Sequence, residues 1–269
     1  MISFILLHEM HGLYISPPKA GRYTALGKES RQAVSYRPEQ GTQGNRNRKE
    51  AGGTMRIITI SRQFGSGGRE LGKRLSDQLG WDYYDKEIIE ALAADQGMDA
   101  DHVREALSHH GWHNVQLTYR NSFAHLGFDH GLRTQLLVRQ REIIQEIAEA
   151  GNDCIIVGRD ADVILQDYHP FRIYICADLP SRLDRCMAHE KKQPRSLRLT
   201  EKEVLRNIRS IDKSRARIRE VLTGKRHGDA SVFDLTVNAT HWSIKHLAPV
   251  MAEFAERWFE EQEAAAEEE

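Results

Sequence analysis

From residue 55 onward the chain alternates between two rhythms of apolar residues. "RIITI" (56–60) is an unbroken β-branched run, the pattern of a strand buried on both faces. "GRELGKRLSDQLG" (68–80) repeats leucine at 71, 75 and 79, which is one face of a helix, and Gly80 stops it. "WDYYD" (81–85) reads as a short strand, "KEIIEALAAD" (86–95) as a helix, and a further helix fits 99–108. Residues 109–131 are rich in Gly and His, carry no period and read as irregular. "LRTQLLVRQREIIQEIAEAG" (132–151) returns to helical spacing. Its apolar face is Leu132, Leu136, Leu137, Ile143, Ile144 and Ile147, and Gly151 ends it.

The second half repeats the alternation. "CIIV" (154–157) and "FRIYICA" (171–177) are strands, "SRLDRCMAHE" (181–190) opens a helix, and 191–198 form a basic loop. A long helix (201–222), a last strand "FDLTVNA" (233–239) and a closing helix (243–262) follow. The closing helix turns Ile244, Leu247, Met251, Phe254 and Trp258 inward and carries Pro249 in its second turn. Strands separated by helices require right-handed crossovers, hence an α/β fold with a parallel sheet covered on both faces. Ligands in such folds bind beyond the carboxyl ends of the strands.

Residues 1–54 lack this order. They are rich in Gly, Pro, Arg, Gln and Asn, and hold eight basic residues against four acidic ones. They read as a disordered leader. Met55 stands directly before the first strand, so translation is expected to begin there, with 1–54 an upstream extension. The domain is expected over 55–262, followed by an acidic tail, 263–269.

The formal net charge is −1, which gives no whole-molecule case for nucleic-acid binding. "ISFILL" (2–7) is short and lacks the basic flank of a signal peptide, and no apolar run reaches the length of a membrane span. Three cysteines, Cys154, Cys176 and Cys186, cannot make a disulfide framework, and no C-x-x-C supports zinc. A reducing, cytoplasmic setting is expected. His109 and His113 stand at i, i+4, a helical pair that binds zinc when a third ligand converges, yet no H-E-x-x-H accompanies them.

Chemistry concentrates in the turns after strands. The first strand feeds Gly65-Ser66-Gly67-Gly68 and then a helix. Such a turn aims backbone N–H groups and the positive end of a helix at an anion. The strict pattern G-x-x-x-x-G-K-[ST] is not met, because no lysine follows the glycines. After the third strand comes "GRDAD" (158–162), and the long helix carries Asp212 and Arg215 at i, i+3.

In this order these motifs resemble the cytidylate kinase-like family. Cytidylate kinases follow the first strand with Gly-x-x-Gly-x-Gly-Lys-Gly-Thr. Laid on without gaps, the first glycine falls at Arg62, the lysine at Gly68 and the threonine at Glu70. A shift of one residue brings Arg69 to the lysine, and the strand-to-loop length then no longer matches. The resemblance covers roughly 58–240 and implies a P-loop NTPase three-layer sandwich of the nucleoside monophosphate kinase type, with a flap at about 86–131 and a helical lid at about 180–200.

It also implies roles. Gly65, Ser66, Gly67, Gly68, Arg69 and Glu70 would hold the ATP phosphates, with Arg69 or Arg62 supplying the missing charge. Arg159, Asp160, Asp212 and Arg215 would hold the acceptor. Arg69, Arg182 and Arg185 would neutralise the transferring phosphoryl group, and Glu70 and Asp160 would bind Mg²⁺. Val157 stands where the family ends its third strand in aspartate. The activity implied is ATP-dependent phosphoryl transfer to a nucleoside monophosphate, CMP or dCMP. The alternatives are a kinase of another small metabolite and a nucleotide-binding pseudokinase with a regulatory role. Neither the residues nor the resemblance fixes an oligomeric state.

Overall fold

The computed structural model describes residues 55–107 and 122–268. In chain order the elements are β1 (Ile57–Arg62), α1 (Gly68–Leu79), β2 (Asp82–Tyr84), α2 (Glu87–Gln96), α3 (Ala100–Leu107), α4 (Ser122–Glu149), β3 (Cys154–Val157), α5 (Ala161–Ile164), β4 (Phe171–Cys176), α6 (Leu179–Glu190), α7 (Glu201–Thr223), β5 (Leu235–Asn238) and α8 (Ile244–Glu267). The strands form one parallel sheet in the order β2-β3-β1-β4-β5. Ile57 stands opposite Cys154, and Ile58 opposite Phe171. The chain first builds on one side of β1 and then crosses to the other. That reversal opens a crevice at the carboxyl end of the central strand.

Alternate strand residues feed two cores. Ile57, Cys154 and Ile156 pack against α2, α3 and α4 through Ile88, Leu92, Val103, Leu136 and Ile144. Ile58, Ile60, Ile155, Val157, Ile173 and Ile175 pack against Leu71 and Leu75 of α1 and against α8. The two helical layers and the sheet make the expected three-layer α/β architecture.

Two boundaries and one buried face differ from the sequence reading. Helix α4 begins at Ser122, so 122–131 is helical where irregular chain was expected. Glycine and histidine are poor helix formers, but adding residues to an existing helix is far easier than starting one. Helix α8 runs to Glu267 and takes in most of the acidic tail. Arg56 donates to both carboxylate oxygens of Glu263, at 3.0 and 2.8 Å, which ties that end to the start of β1. The buried stripe of α8 is Ile244, Leu247, Met251, Ala255 and Phe259; Phe254 is 45% exposed and only stacks at the edge, on Phe171. Among the described residues no helix is long and apolar enough to cross a membrane.

Candidate active site

Residues 63–67 link β1 to α1, with Gly65 (φ 79°) and Gly67 (φ 96°) in the left-handed region that favours glycine. Gly67 caps α1 without a side-chain hydrogen bond, so the cap itself offers no side-chain acceptor to the first N–H groups of the helix. The loop is braced from behind. Gln63 N–H donates to the Ile175 carbonyl at 3.1 Å, Gln63 Oε1 accepts from Ala177 N–H at 3.1 Å, and Ser66 Oγ donates to the Gln63 carbonyl at 2.9 Å.

The far side of the loop is held by α6 and α7. Arg182 Nε donates to the Phe64 carbonyl at 2.7 Å, and Phe64 N–H donates to Asp212 Oδ1 at 2.7 Å. An Arg182–Asp212 ion pair closes the ring. Arg215 Nη1 donates to the Arg62 carbonyl at 3.0 Å, and the ring of His227 lies 3.1 Å from that same oxygen. Burial lowers the pKa of His227, which favours the neutral ring.

Arg62 ends β1 almost fully buried, and its side chain crosses the crevice toward Gly158. Asp85, just past β2 and equally buried, sits between two guanidinium groups: Arg69 Nε at 2.6 Å and Arg62 Nη2 at 3.5 Å. Burial lowers the pKa of Arg62 against the pull of Asp85.

Past β3 the backbone takes three successive left-handed residues, Gly158 (φ 76°), Arg159 (φ 61°) and Asp160 (φ 50°). For the two non-glycine residues this conformation costs about 1–2 kcal/mol each. It is held by a buried network behind the turn. Arg219 Nη1 pairs with Asp162 Oδ2 at 2.5 Å and lies 3.9 Å from Asp160 Oδ1, while Ser61 Oγ reaches Asp162 at 3.4 Å. Burial and the neighbouring Asp162 push the Asp160 carboxyl up to about 6. Arg159 is pulled down to about 10 by burial and by Arg62, and its Nε has no hydrogen-bond partner.

These pieces wall a cleft of about 650 Å³ at the carboxyl ends of β1 and β3. Its charged wall is Arg62, Arg69, Lys86, Arg104, Arg159 and Arg215, against Asp101 and Asp160. Its apolar side is Ile89, Leu107, Leu137, Ile211 and Ile218. Like charges crowded at low dielectric need an anion to settle them. The arrangement is chemically suited to a ligand with several negative charges.

Of the residues singled out from sequence, Arg69, Arg159, Asp160 and Arg215 line this cleft. Arg182 and Asp212 hold the loop from outside it. Arg185 turns to the carbonyls of Ala239 (2.5 Å) and Trp242 (3.3 Å) at the start of α8. Glu70 is exposed on α1 and pairs with Arg74 at 2.8 Å, away from Asp160. Val157 packs within the α1–α8 core. His109 and His113 lie outside the described residues, as does the leader 1–54. The sequence reading missed Asp85, Asp162 and Arg219. Asp85 had a signal, its place at the carboxyl end of a parallel strand. Arg219 had none beyond being one basic residue among many on α7.

No curated protein sequence matches the chain. Among solved structures, an uncharacterized protein from Eubacterium ventriosum aligns with a TM-score of 0.54 at 22% identity, over 75% of this chain and 99% of that one. A shikimate kinase from Bacteroides thetaiotaomicron aligns at 0.46 and 13% identity, over 76% and 99%. A shikimate kinase from Acinetobacter baumannii aligns at 0.42 and 15% identity, over 76% and 95%. The first of these likenesses shows the fold alone, an α/β sandwich with a parallel sheet. The profile of the cytidylate kinase-like family matches residues 57–241. The chain belongs to the cytidylate kinase-like family.

Proposed function

We propose that this protein transfers the γ-phosphoryl group of ATP to a nucleoside monophosphate, with CMP or dCMP as acceptor. The observation that carries this reading is the convergence of Arg62, Arg159 and Arg215 on one cleft beside the glycine loop. An acceptor phosphate oxygen forms the new bond to the γ-phosphorus. The bond from γ-phosphorus to the bridging oxygen breaks, and its electron pair leaves with ADP. A dianionic acceptor phosphate has no proton to lose, so positioning and charge neutralisation supply the catalysis.

The loop amides of Gly65 to Glu70 hold the β- and γ-phosphates. Arg159 and Arg215 hold the acceptor phosphate, and Arg69 faces the transferring group. Arg182 acts through the loop, whose shape it sets. For a magnesium ion the cleft offers the carboxylate of Asp160, while Glu70 stands outside it. Among the described residues no group of three or more His, Cys, Asp or Glu could cage a metal. A lone carboxylate suits an ion that would arrive with the ATP phosphates and take its other ligands from them and from water.

One observation favours a second acceptor class. Asp212, the residue the resemblance gives to the acceptor, is engaged with Phe64 N–H and Arg182. A small phosphorylated metabolite without a ribose needs no such contact. Coupled ADP release by the full chain with Mg-ATP and each of CMP, dCMP, UMP and AMP separates the readings, with Arg159→Ala as control. Turnover with a pyrimidine nucleotide that the control loses supports the first reading. ATP binding with no turnover on any of the four overturns it, in favour of another acceptor or of a nucleotide-binding pseudokinase.

A further inference from the structure

The loop of this protein has no lysine, yet the place where that lysine would work is filled. Gly68 is the first residue of α1, directly after the capping Gly67, where the strict pattern puts lysine. A Cβ on Gly68 would lie 3.0 Å from Arg62 Cβ and 3.1 Å from Arg62 Cγ. The Arg62 stem therefore runs beneath the start of the helix, and a side chain at 68 would press on it and, equally, on Ile175 Cγ2 at 3.0 Å. Further along, a Cβ on Gly158 would lie 1.4 Å from Arg62 Nη1 and 2.5 Å from its Cζ. Two glycines, one from each motif, leave a slot shaped to one arginine side chain. The carbonyl of Arg62 is anchored by Arg215, so the residue is fixed at its base as well.

The guanidinium at the end of this slot is short of partners. It is almost fully buried, and its one ion pair among the described residues, to Asp85 Oδ1, is long at 3.5 Å. Asp85 bonds more closely to Arg69, which is 66% exposed. A buried cation with one stretched contact, lining a cleft beside open loop amides, is poised for an anionic ligand.

We infer that Arg62 replaces the loop lysine, reaching the β- and γ-phosphates of ATP from the end of β1. Asp85 is its positioning residue, and the glycines at 68 and 158 leave its side chain the room. This rests on the proposed use of ATP, and not on which acceptor is used.

The test is a residue exchange read by calorimetric binding of Mg-ATP and by turnover, with folding checked by circular dichroism and thermal unfolding. Arg62→Gln removes the charge while filling the slot. It should weaken ATP binding roughly 10-fold or more, on the scale of one lost charge-assisted hydrogen bond, while Arg62→Lys keeps a measurable part of the affinity. Gly68→Lys alone should lose binding, because the new side chain meets the Arg62 stem. Arg62→Gly with Gly68→Lys should recover binding over Arg62→Gly, since the lysine then has both room and work. Folded Arg62→Gln that binds Mg-ATP as the parent does overturns the inference, as does a double variant no better than Arg62→Gly. A parent protein that binds no ATP overturns the proposed function and this role with it. Binding without turnover on any acceptor faults only the acceptor, and the exchange still decides the role of Arg62.

Discussion

Arg182 on α6 and Asp212 on α7 grip the same residue of the glycine loop, one at its carbonyl and one at its N–H. One donates to the Phe64 carbonyl and the other accepts its N–H, both at 2.7 Å, and the two side chains pair with each other. The loop's shape is thereby coupled to the packing of two helices that follow it by more than a hundred residues. A rigid anion cradle needs such bracing, since glycine supplies no stiffness of its own.

Breaking that ring is expected to cost more than a surface pair would. Arg182 is 8% exposed in its side chain, so Asp212→Asn leaves a buried guanidinium without its counter-charge. Loss of about 3 kcal/mol in urea unfolding is expected. Arg182→Met combined with Asp212→Asn should cost clearly less than the sum of the single changes, with coupling of at least about 1 kcal/mol. Strict additivity would show that the two side chains act on the loop independently.

Asp160 gives a pH dependence with a definite sign. Its carboxyl is raised to about 6 from 3.8, by burial first and by Asp162 second, against Arg219, Arg62 and Arg159. The folded state therefore holds this proton more tightly than the unfolded chain. The favourable contribution is complete below about pH 4 and is lost as pH rises through about 6. Asp160→Asn removes the dependence. At pH 7 the variant should be the more stable, by up to about 2–3 kcal/mol, and the advantage should vanish by pH 4. A parent-minus-variant stability curve that is flat from pH 4 to 7 would contradict this.

The layers of this fold were legible because buried parallel strands and amphipathic helices write different periods into the chain. Ile57 to Ile60 and Leu71, Leu75 and Leu79 needed no structure to interpret. The cleft was legible in the glycine turn beside it and in four of its charged residues, Arg69, Arg159, Asp160 and Arg215. Its buried counter-charges were not. Asp85 and Asp162 acquire their partners from residues 23 and 57 positions away, Arg62 and Arg219. No local spacing encodes such pairs. Phe254 shows the same limit on a helix, since 3.6-residue spacing names a stripe but not which edge of it the sheet covers.

An inorganic anion should stabilise the protein without any nucleotide. Arg159 and Arg215 are each buried beside other cations, and burial is the larger cause of their lowered pKa values. Pyrophosphate at 100 times its Kd should add about 2.7 kcal/mol, read as a rise in Tm. Raised salt should weaken the effect, and Arg159→Ala should reduce it. A Tm indifferent to pyrophosphate would mean that the cleft's charges already satisfy one another.

Gly158 separates a backbone effect from a side-chain effect. An alanine there suffers twice, from the left-handed φ of 76° and from a Cβ placed 1.4 Å from Arg62 Nη1. The second conflict is with the far end of a flexible side chain, so it is relieved by moving the guanidinium and not by unfolding. Gly224, at the end of α7, has a φ of 65° and open space where its Cβ would stand. Gly158→Ala and Gly224→Ala should therefore each lose about 1 kcal/mol of stability to backbone strain. Only Gly158→Ala should also weaken pyrophosphate binding, because only there does the new methyl displace a cleft arginine. Equal binding by the two variants would mean that the position of Arg62 is immaterial to the anion.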